Sequence, residues 1–184
     1  MKRQNGFTLT ELLVVMAIVA ILLGIGVPSY RYITNSYRLS AEVNSLLGDM
    51  QYARAEAIKE GQFVVVCAAA APYTNCANNT VWNAGWIVFS DTNNNGVLDA
   101  GETLLHIQQA FSGTTPDSLT VNVNGVRYNR EGFATPIAGV GALPATFTLK
   151  DGRTSNAAWQ RCLLLTAVGT ASTQTHVVDP ADCP

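Results

Sequence analysis

Residues 91–102 carry oxygen-bearing side chains at the spacing of a calcium-binding loop. The candidate ligands are Asp91, Asn93, Asn95, the Val97 carbonyl, Asp99 and Glu102. Gly96 stands where an EF-hand loop turns sharply, but the flanking residues are typical of β-strands, so the loop would join a hairpin. The sequence allows either a weak calcium site or an Asx/Gly-rich turn whose side chains form hydrogen bonds with the backbone of the same turn. The sequence indicates no required cofactor. Calcium is the only ion that it suggests.

Glu11 is the only charged side chain between Arg3 and Arg31, in a segment that is otherwise strongly apolar. A charged side chain at the centre of a membrane costs roughly 2.5–3.5 kcal/mol, and less near the ends of a spanning helix. Such a residue is expected to have a partner, and a positive charge in the same layer of a neighbouring copy could provide it. Glu11 is therefore a candidate assembly residue.

The cysteines all follow the apolar segment: Cys67, Cys76, Cys162 and Cys183. An even number of cysteines beyond an export segment favours disulfides in an oxidising compartment. Three pairings are possible, and proximity in sequence favours Cys67–Cys76 with Cys162–Cys183. A zinc site is the alternative, although the chain has no C-x-x-C pair.

Catalytic chemistry has little support in the sequence. His106 lies in an apolar segment and His176 in a Thr-rich tail, and neither has a nucleophile at a recognisable spacing. No phosphate-binding loop is present. The formal net charge of −2 does not favour non-specific binding to nucleic acid. We therefore expect no enzymatic activity.

The N-terminal segment has three interpretations. A basic leader and an apolar run fit a secretory signal with a cleavage site at Gly24-x-Gly26. Residues 7–28 would also form a helix of about 33 Å, long enough for a membrane anchor. Lys2 and Arg3 would then keep the amino end in the cytoplasm. The third interpretation is a prepilin-type signal, which is cut before the apolar segment so that this segment is retained.

The string from Gly6 to Leu12, GFTLTEL, resembles the prepilin motif at each diagnostic position. It has a small residue before the cut, an aromatic residue after it, and a glutamate at the fifth position of the mature chain. The resemblance implies cleavage between Gly6 and Phe7 by a prepilin peptidase and methylation of the new Phe7 amine. Glu11 would lie about 6 Å along the helix from that amine and could neutralise the amine of an adjacent subunit.

After the cleaved leader (residues 1–6) and the membrane-spanning segment (7–28), the pattern predicts an amphipathic helix over 29–61. Apolar residues recur at three- and four-residue steps from Leu39 to Ile58, and Gly61 ends the pattern. Pro28 is expected to bend the helix.

Residues 62–184 are predicted to form a β-rich head. Short β-branched or aromatic runs predict strands at 63–67, 86–89, 104–107, 119–123, 145–149 and 161–166. Asn124-Gly125 predicts a two-residue hairpin, and residues 68–80 and 135–144 are expected to be mobile loops. The predicted fold class is α+β, with a long N-terminal helix packed on an antiparallel sheet.

Two internal segments resemble a narrower family. Residues 51–58, QYARAEAI, and residues 82–91, WNAGWIVFSD, are similar to signatures of the GspH/FimT family of minor pilins and pseudopilins. With the leader, the similarity covers roughly residues 1–170. The resemblance implies a type IV pilin-like fold and a low-abundance subunit that helps to prime assembly near the tip of a type IV pilus or a type II secretion pseudopilus.

The same resemblance implies the partners and the location. The partners would be other major and minor pilins or pseudopilins, the prepilin peptidase and an inner-membrane assembly platform. The chain would first cross the inner membrane once, with its amino end in the cytoplasm and its head in the periplasm, and would then enter the filament.

DNA binding for DNA uptake is the alternative function, because some relatives in this family serve it. Their Gly-Arg-x-Arg motif would follow the last core strand, where this chain has Gly169-Thr170-Ala171-Ser172 without either arginine. The other basic residues of the head are scattered, as is typical of solvated strand ends: Arg127, Arg130, Lys150, Arg153 and Arg161. DNA recognition is therefore not favoured.

Overall fold

The computed structural model describes residues 8–112, 115–137, 141–153, 157–175 and 183. Helix α1 spans Leu9–Glu60, and a short 3₁₀ helix spans Ala157–Trp159. The strands are β1 Phe63–Ala68, β2 Gly85–Asp91, β3 Leu104–Gln109, β4 Ser118–Thr120, β5 Gly125–Tyr128, β6 Ala134–Pro136, β7 Ala145–Lys150, β8 Arg161–Leu165 and β9 Ala171–Thr175. The predicted α+β class, with a long N-terminal helix, is confirmed.

The chain divides into two compact units, Met1–Tyr37 and Arg38–Pro184. In the described part of the first unit, Leu9 onward is helical, and its residues from Leu9 to Val27 are exposed. The most apolar window has a mean hydropathy of 2.7, and the helix is long enough to cross a membrane. Pro28 lies inside the helix, and the bend that it is expected to cause stays a prediction.

The second unit contains two antiparallel sheets. The first has five strands in the order β3-β2-β1-β5-β6, and the second has four in the order β4-β7-β8-β9. In the first sheet, β1 is central and pairs with β2 and β5. In the second, β7 pairs with both β4 and β8.

The main core lies between α1 and one face of each sheet. The helix contributes the apolar stripe that the sequence predicts: Leu39, Val43, Leu46, Met50, Ala53 and Ala57. Trp82 and Trp86 are fully buried in this core, and the Trp82 ring meets Phe147 edge-on at 5.0 Å between centroids. Both tryptophans are therefore core residues.

A second, smaller core covers the opposite face of the five-stranded sheet. It contains Val65, Cys67, Ala69, Ile87, Phe89 and Ile137, with Tyr73, Cys76 and Leu98 packed against it. Strands β1 and β2 are therefore buried on both faces. This explains why their sequences are continuous apolar runs rather than alternating patterns.

The hairpin predicted at Asn124-Gly125 is wrong. The strand before it, β4, pairs with β7 in one sheet, whereas β5 after it pairs with β1 in the other. The dipeptide therefore ends a crossover between sheets. A Cβ on Gly125 would lie 2.5 Å from Ile137 Cδ1 and 2.9 Å from Cys67 Cβ, so close packing, rather than a turn, requires glycine here.

Apart from β5, which the predicted hairpin implies, two short strands were not predicted. Strand β6 falls at the start of the segment that was expected to be a mobile loop, and β9 has the polar sequence ASTQT. Both lie at sheet edges, where one side has no strand neighbour and apolar alternation is not required. Residues 138–140 of that expected loop lie outside the described residues.

Candidate functional site

Glu11 lies in the first turn of α1. Thr8 precedes the helix, and its Oγ1 accepts a hydrogen bond from the Glu11 backbone N–H at 3.3 Å. A threonine before the helix with a glutamate at the third helical position is the residue pair of a capping box. A negative side chain in the first turn is also stabilised by the positive end of the helix dipole. Glu11 therefore supports the start of its own helix in addition to any role between subunits.

Among the described residues, none covers the apolar surface of α1 that follows Glu11. Large side chains such as Leu12, Ile21 and Ile25 are more than 60% exposed. An apolar helical surface of this length is stable only when lipid or another protein covers it. The predicted cleavage and methylation positions, Gly6 and Phe7, lie outside the described residues.

In the loop between β2 and β3, Asp91 is buried and caps the turn. Its two carboxylate oxygens accept backbone N–H groups, at 3.0 Å from Asn95 and 2.8 Å from Gly96. Asp99 Oδ2 accepts the side-chain amides of Asn93 and Asn95 at 2.8 and 2.6 Å. These two bonds hold the pKa of Asp99 below its ordinary value.

Glu102 closes the same loop from its other end. Its Oε1 accepts the Thr92 backbone N–H at 2.8 Å, and its Oε2 accepts that of Asp99 at 3.0 Å. The Val97 N–H is bonded to Asn95 Oδ1 at 2.8 Å. Across the described part of the chain, no three acidic, histidine or cysteine side chains converge as metal ligands would. The geometry supports the self-capped turn, and calcium binding stays a prediction.

The cysteines form two disulfides, Cys67–Cys76 and Cys162–Cys183. These are the pairs that sequence proximity favours. The first ties the segment after β1 over the smaller core, and the second ties Cys183 to β8. Each cross-link restricts the unfolded chain, which is worth roughly 3 kcal/mol in the loop-entropy model.

Several basic residues of the head are engaged by the head itself. The Arg127 guanidinium lies 5.5 Å from the Phe63 ring centroid and donates to the Asn94 carbonyl at 3.2 Å. Arg130 pairs with Glu131 at 2.9 Å, and Arg161 donates to the Gln160 carbonyl at 3.1 Å. These contacts lie within the head and add no support to the DNA-binding alternative.

Sequence reasoning missed a buried polar contact between α1 and the first sheet. Asp49 Oδ2 accepts the Trp86 indole N–H at 2.7 Å, and Asp49 Oδ1 lies 3.6 Å from His106 Nε2 on the edge strand β3. Burial raises the pKa of Asp49, although the Trp86 bond and His106 oppose the shift. His176, the other histidine, lies outside the described residues.

An ionic cluster fixes the second sheet to the helix. Arg38 donates to both oxygens of Asp117, at 2.7 and 2.9 Å, and to Asp151 Oδ1 at 2.6 Å. Burial and the neighbouring negative charge of Asp117 raise the pKa of Glu42, one turn further along α1, to about 8. The sequence contained a signal for Glu42 and Asp49, because these two acids are seven residues apart and fall within the apolar stripe of α1.

Arg54, in the helix signature at 51–58, holds two turns of the head. Its Nε donates to the Gly132 carbonyl at 3.0 Å, and its Nη2 donates to the Val168 carbonyl at 3.1 Å. The turn at Gly132 follows β5 and the turn at Val168 follows β8, so one side chain joins both sheets to α1. This residue is structural.

Two family models match the chain. That of the type II transport protein GspH matches residues 42–169. That of the prokaryotic N-terminal methylation motif matches residues 1–27. None of the curated protein sequences compared with the chain is a significant match.

Among solved structures, the chain is similar to the type IV minor pilin FimU of Pseudomonas aeruginosa. One crystal form gives a TM-score of 0.54 at 18% identity, covering 79% of this chain and 94% of the crystallised FimU chain. A second crystal form of FimU gives a TM-score of 0.46 at 16% identity, covering 78% and 93%. At this identity, the first match supports the fold: one long N-terminal helix packed on antiparallel sheets.

Proposed function

The chain belongs to the GspH family of type II transport proteins, and we propose from this that it is an assembly subunit that primes a filament near its tip. Family and fold indicate a minor pilin or pseudopilin of a type IV pilus or a type II secretion system. The family is structural rather than enzymatic, and we propose no catalytic role.

The observation that carries the proposal is the exposed apolar helix with Glu11 as its only charge before Arg31. Together with the methylation motif, this helix fits an inner-membrane-anchored pilin. The same surface would be covered by lipid before assembly and by neighbouring helices afterwards, so transfer into the filament would bury it continuously.

In the proposed assembly step, a prepilin peptidase cuts between Gly6 and Phe7 and the new Phe7 amine is methylated. A methylated amine keeps its positive charge. Glu11 would pair with the Phe7 amine of a neighbouring subunit, because an ion pair is far less costly in an apolar filament core than a lone carboxylate. This pairing would set the register of the incoming subunit. The other partners would be further pilins or pseudopilins and the inner-membrane assembly platform.

The test separates the charge of Glu11 from its part in the capping box. Glu11→Gln keeps a side chain that suits a capping box but removes the charge, whereas Glu11→Ala removes both. We expect both variants to be cleaved at Phe7 but to be largely lost from sheared filaments. Thr10→Ala, one residue away, is the control and should be incorporated like the wild type. Mass spectrometry of the mature chain and immunoblotting of filaments give the readouts.

A mature chain that begins at Val27 would overturn the prepilin interpretation. Normal incorporation of Glu11→Gln into filaments would show that assembly does not require the charge of Glu11. The DNA-uptake alternative predicts a different result in a deletion strain, namely lost transformation with normal twitching and secretion. No contact in the described residues favours that alternative.

A further inference from the structure

Exposed tyrosine side chains are concentrated directly after the apolar segment of α1. The chain has six tyrosines, and three of them lie in residues 30–37: Tyr30, Tyr32 and Tyr37. These three are between 54% and 73% exposed. No tyrosine or tryptophan precedes them in the chain. After Pro28, the surface of α1 therefore changes from aliphatic side chains to exposed phenol rings.

These rings lie on opposite sides of the helix instead of lining one side of it. Successive residues of an α-helix are about 100° apart, so Tyr30 and Tyr37 share one side and Tyr32 lies on the other. Ile33, which projects in a third direction, is also exposed. A protein partner covers one side of a helix, whereas lipid surrounds a helix that crosses a membrane. The distribution of the rings therefore favours lipid as the occupant.

The chemistry of the segment fits the polar layer of a membrane. A tyrosine has an apolar ring and a polar hydroxyl, and it is enriched where the hydrocarbon layer meets water. Arg31 is exposed among the tyrosines, and its long apolar stem allows the guanidinium to reach a lipid phosphate. No acidic residue lies between Glu11 and Glu42. No carboxylate near residues 30–37 in sequence would therefore repel the phosphates.

We propose that residues 30–37 form a tyrosine collar, which lies among the phospholipid headgroups at the periplasmic surface of the inner membrane and sets the depth of the helix. The collar binds lipid through the rings of Tyr30, Tyr32 and Tyr37 and through the charge of Arg31. This inference rests on the proposed function, because it requires that residues 7–28 span the membrane.

The position of the collar has a consequence for Glu11. Tyr30 follows Glu11 by 19 residues, which is about 28 Å along a helix, and the hydrocarbon layer is about 30 Å thick. With the collar at one surface of this layer, Glu11 lies close to the other surface. A charged side chain costs less near the end of a spanning helix than at its centre. The collar thus keeps Glu11 where its carboxylate is tolerated before assembly.

The experiment uses the full chain in bicelles of phosphatidylcholine and phosphatidylglycerol, labelled with 3-fluorotyrosine and ¹³C-methyl methionine. Lipids that carry a nitroxide are added, either at the headgroup or at the end of the acyl chain. We expect the ¹⁹F signals of Tyr30 and Tyr32 to lose more intensity with the headgroup nitroxide than with the chain-end nitroxide. Tyr52, which is exposed on α1 within the head, is the matched control and should lose little with either. Single Tyr→Phe variants assign the signals.

The methyl signal of Met16 separates this proposal from the proposed function. Loss of the Met16 signal with the chain-end nitroxide, without loss at Tyr30 and Tyr32, would overturn the collar and leave the membrane anchor in place. No loss at Met16 with either nitroxide would contradict the anchor itself, and the collar with it. Losses at Tyr30 and Tyr32 that follow protein concentration instead of the nitroxide would assign these rings to a protein partner and overturn the collar.

A double variant tests whether the collar sets the depth of the helix. Tyr30→Ala with Tyr32→Ala removes the rings from both sides of α1, and Tyr52→Ala is the matched control. We expect the double variant to shift along the bilayer normal, so that the ratio of the Met16 signal losses caused by the two nitroxides changes. Tyr52→Ala should keep the wild-type ratio. An unchanged ratio in the double variant would contradict the proposed role in setting depth.

Discussion

The indole nitrogen of Trp86 lies 2.7 Å from Asp49 Oδ2 and joins strand β2 to the buried face of α1. A carboxylate at this depth is stable only because it receives a donor, since a buried acceptor without one loses its hydration with no compensation. Trp86 belongs to the WNAGWIVFSD signature, and Asp49 lies two residues before the helix signature. The contact therefore attaches the WNAGWIVFSD segment to α1, just before the QYARAEAI segment.

Replacing Trp86 by phenylalanine should destabilise the head strongly. Trp86→Phe keeps an aromatic ring but leaves Asp49 Oδ2 without its donor, and we expect the free energy of unfolding to fall by about 2 kcal/mol or more. Asp49→Asn is the control, because an amide oxygen can still accept the indole N–H while the buried charge is removed. Urea unfolding followed by far-UV circular dichroism measures both. A loss in Trp86→Phe no larger than in Asp49→Asn would contradict this account of the pair.

Arg54 should contribute to stability and not to a binding surface. Arg54→Gln removes two charge-assisted hydrogen bonds to the Gly132 and Val168 carbonyls, and we expect a loss of about 1.5–3 kcal/mol in the same unfolding measurement. Arg130→Gln is the matched control, since the exposed pair of Arg130 with Glu131 should be worth less than about 1 kcal/mol. Equal losses in the two variants would show that Arg54 does not hold the two turns.

A methyl group at Gly125 should clash with Ile137, and shortening Ile137 should relieve part of the clash. Gly125→Ala would place its Cβ 2.5 Å from Ile137 Cδ1, and overpacking of this kind typically costs about 1–3 kcal/mol. Adding Ile137→Val removes Cδ1 and should restore part of the loss in thermal unfolding. Gly48→Ala is a control with the opposite sign: nothing lies within 4 Å of its Cβ, and alanine in a helix is favoured over glycine by about 1 kcal/mol. A hairpin at residues 124–125 would predict no rescue by Ile137→Val.

The loop at residues 91–102 provides a test between a self-capped turn and a calcium site. Because Glu102 accepts two backbone N–H groups of its own loop, Glu102→Gln should lower Tm even in calcium-free buffer. A calcium site in this loop would bind weakly, with a Kd of roughly 0.1–1 mM. Equal Tm values for the wild type in EDTA and in 10 mM calcium would therefore assign the loop to the turn. A calcium-dependent rise in Tm that Glu102→Gln abolishes would establish the metal site instead.

Local patterns in the sequence were sufficient for several features. The leader motif, the apolar run and the three- and four-residue periodicity predict α1, and the fold class follows from a helix that precedes short apolar strands. These features depend on neighbours within a few residues, so they can be read without knowing the fold. Proximity along the chain also favours the correct disulfides, although their cysteines are 9 and 21 residues apart.

The sheet assignment and the buried polar contacts were decided by the tertiary structure. Asn124-Gly125 has a strong local preference for a hairpin, but the flanking strands β4 and β5 pair with distant strands of different sheets, and Ile137 and Cys67 pack closely against Gly125. Arg38 and Asp151 are separated by 113 residues, and no local pattern relates them. The sequence by itself therefore determined the helix, the class of fold and the family. Only the folded chain could show which acids are buried and paired, because that depends on contacts between distant segments.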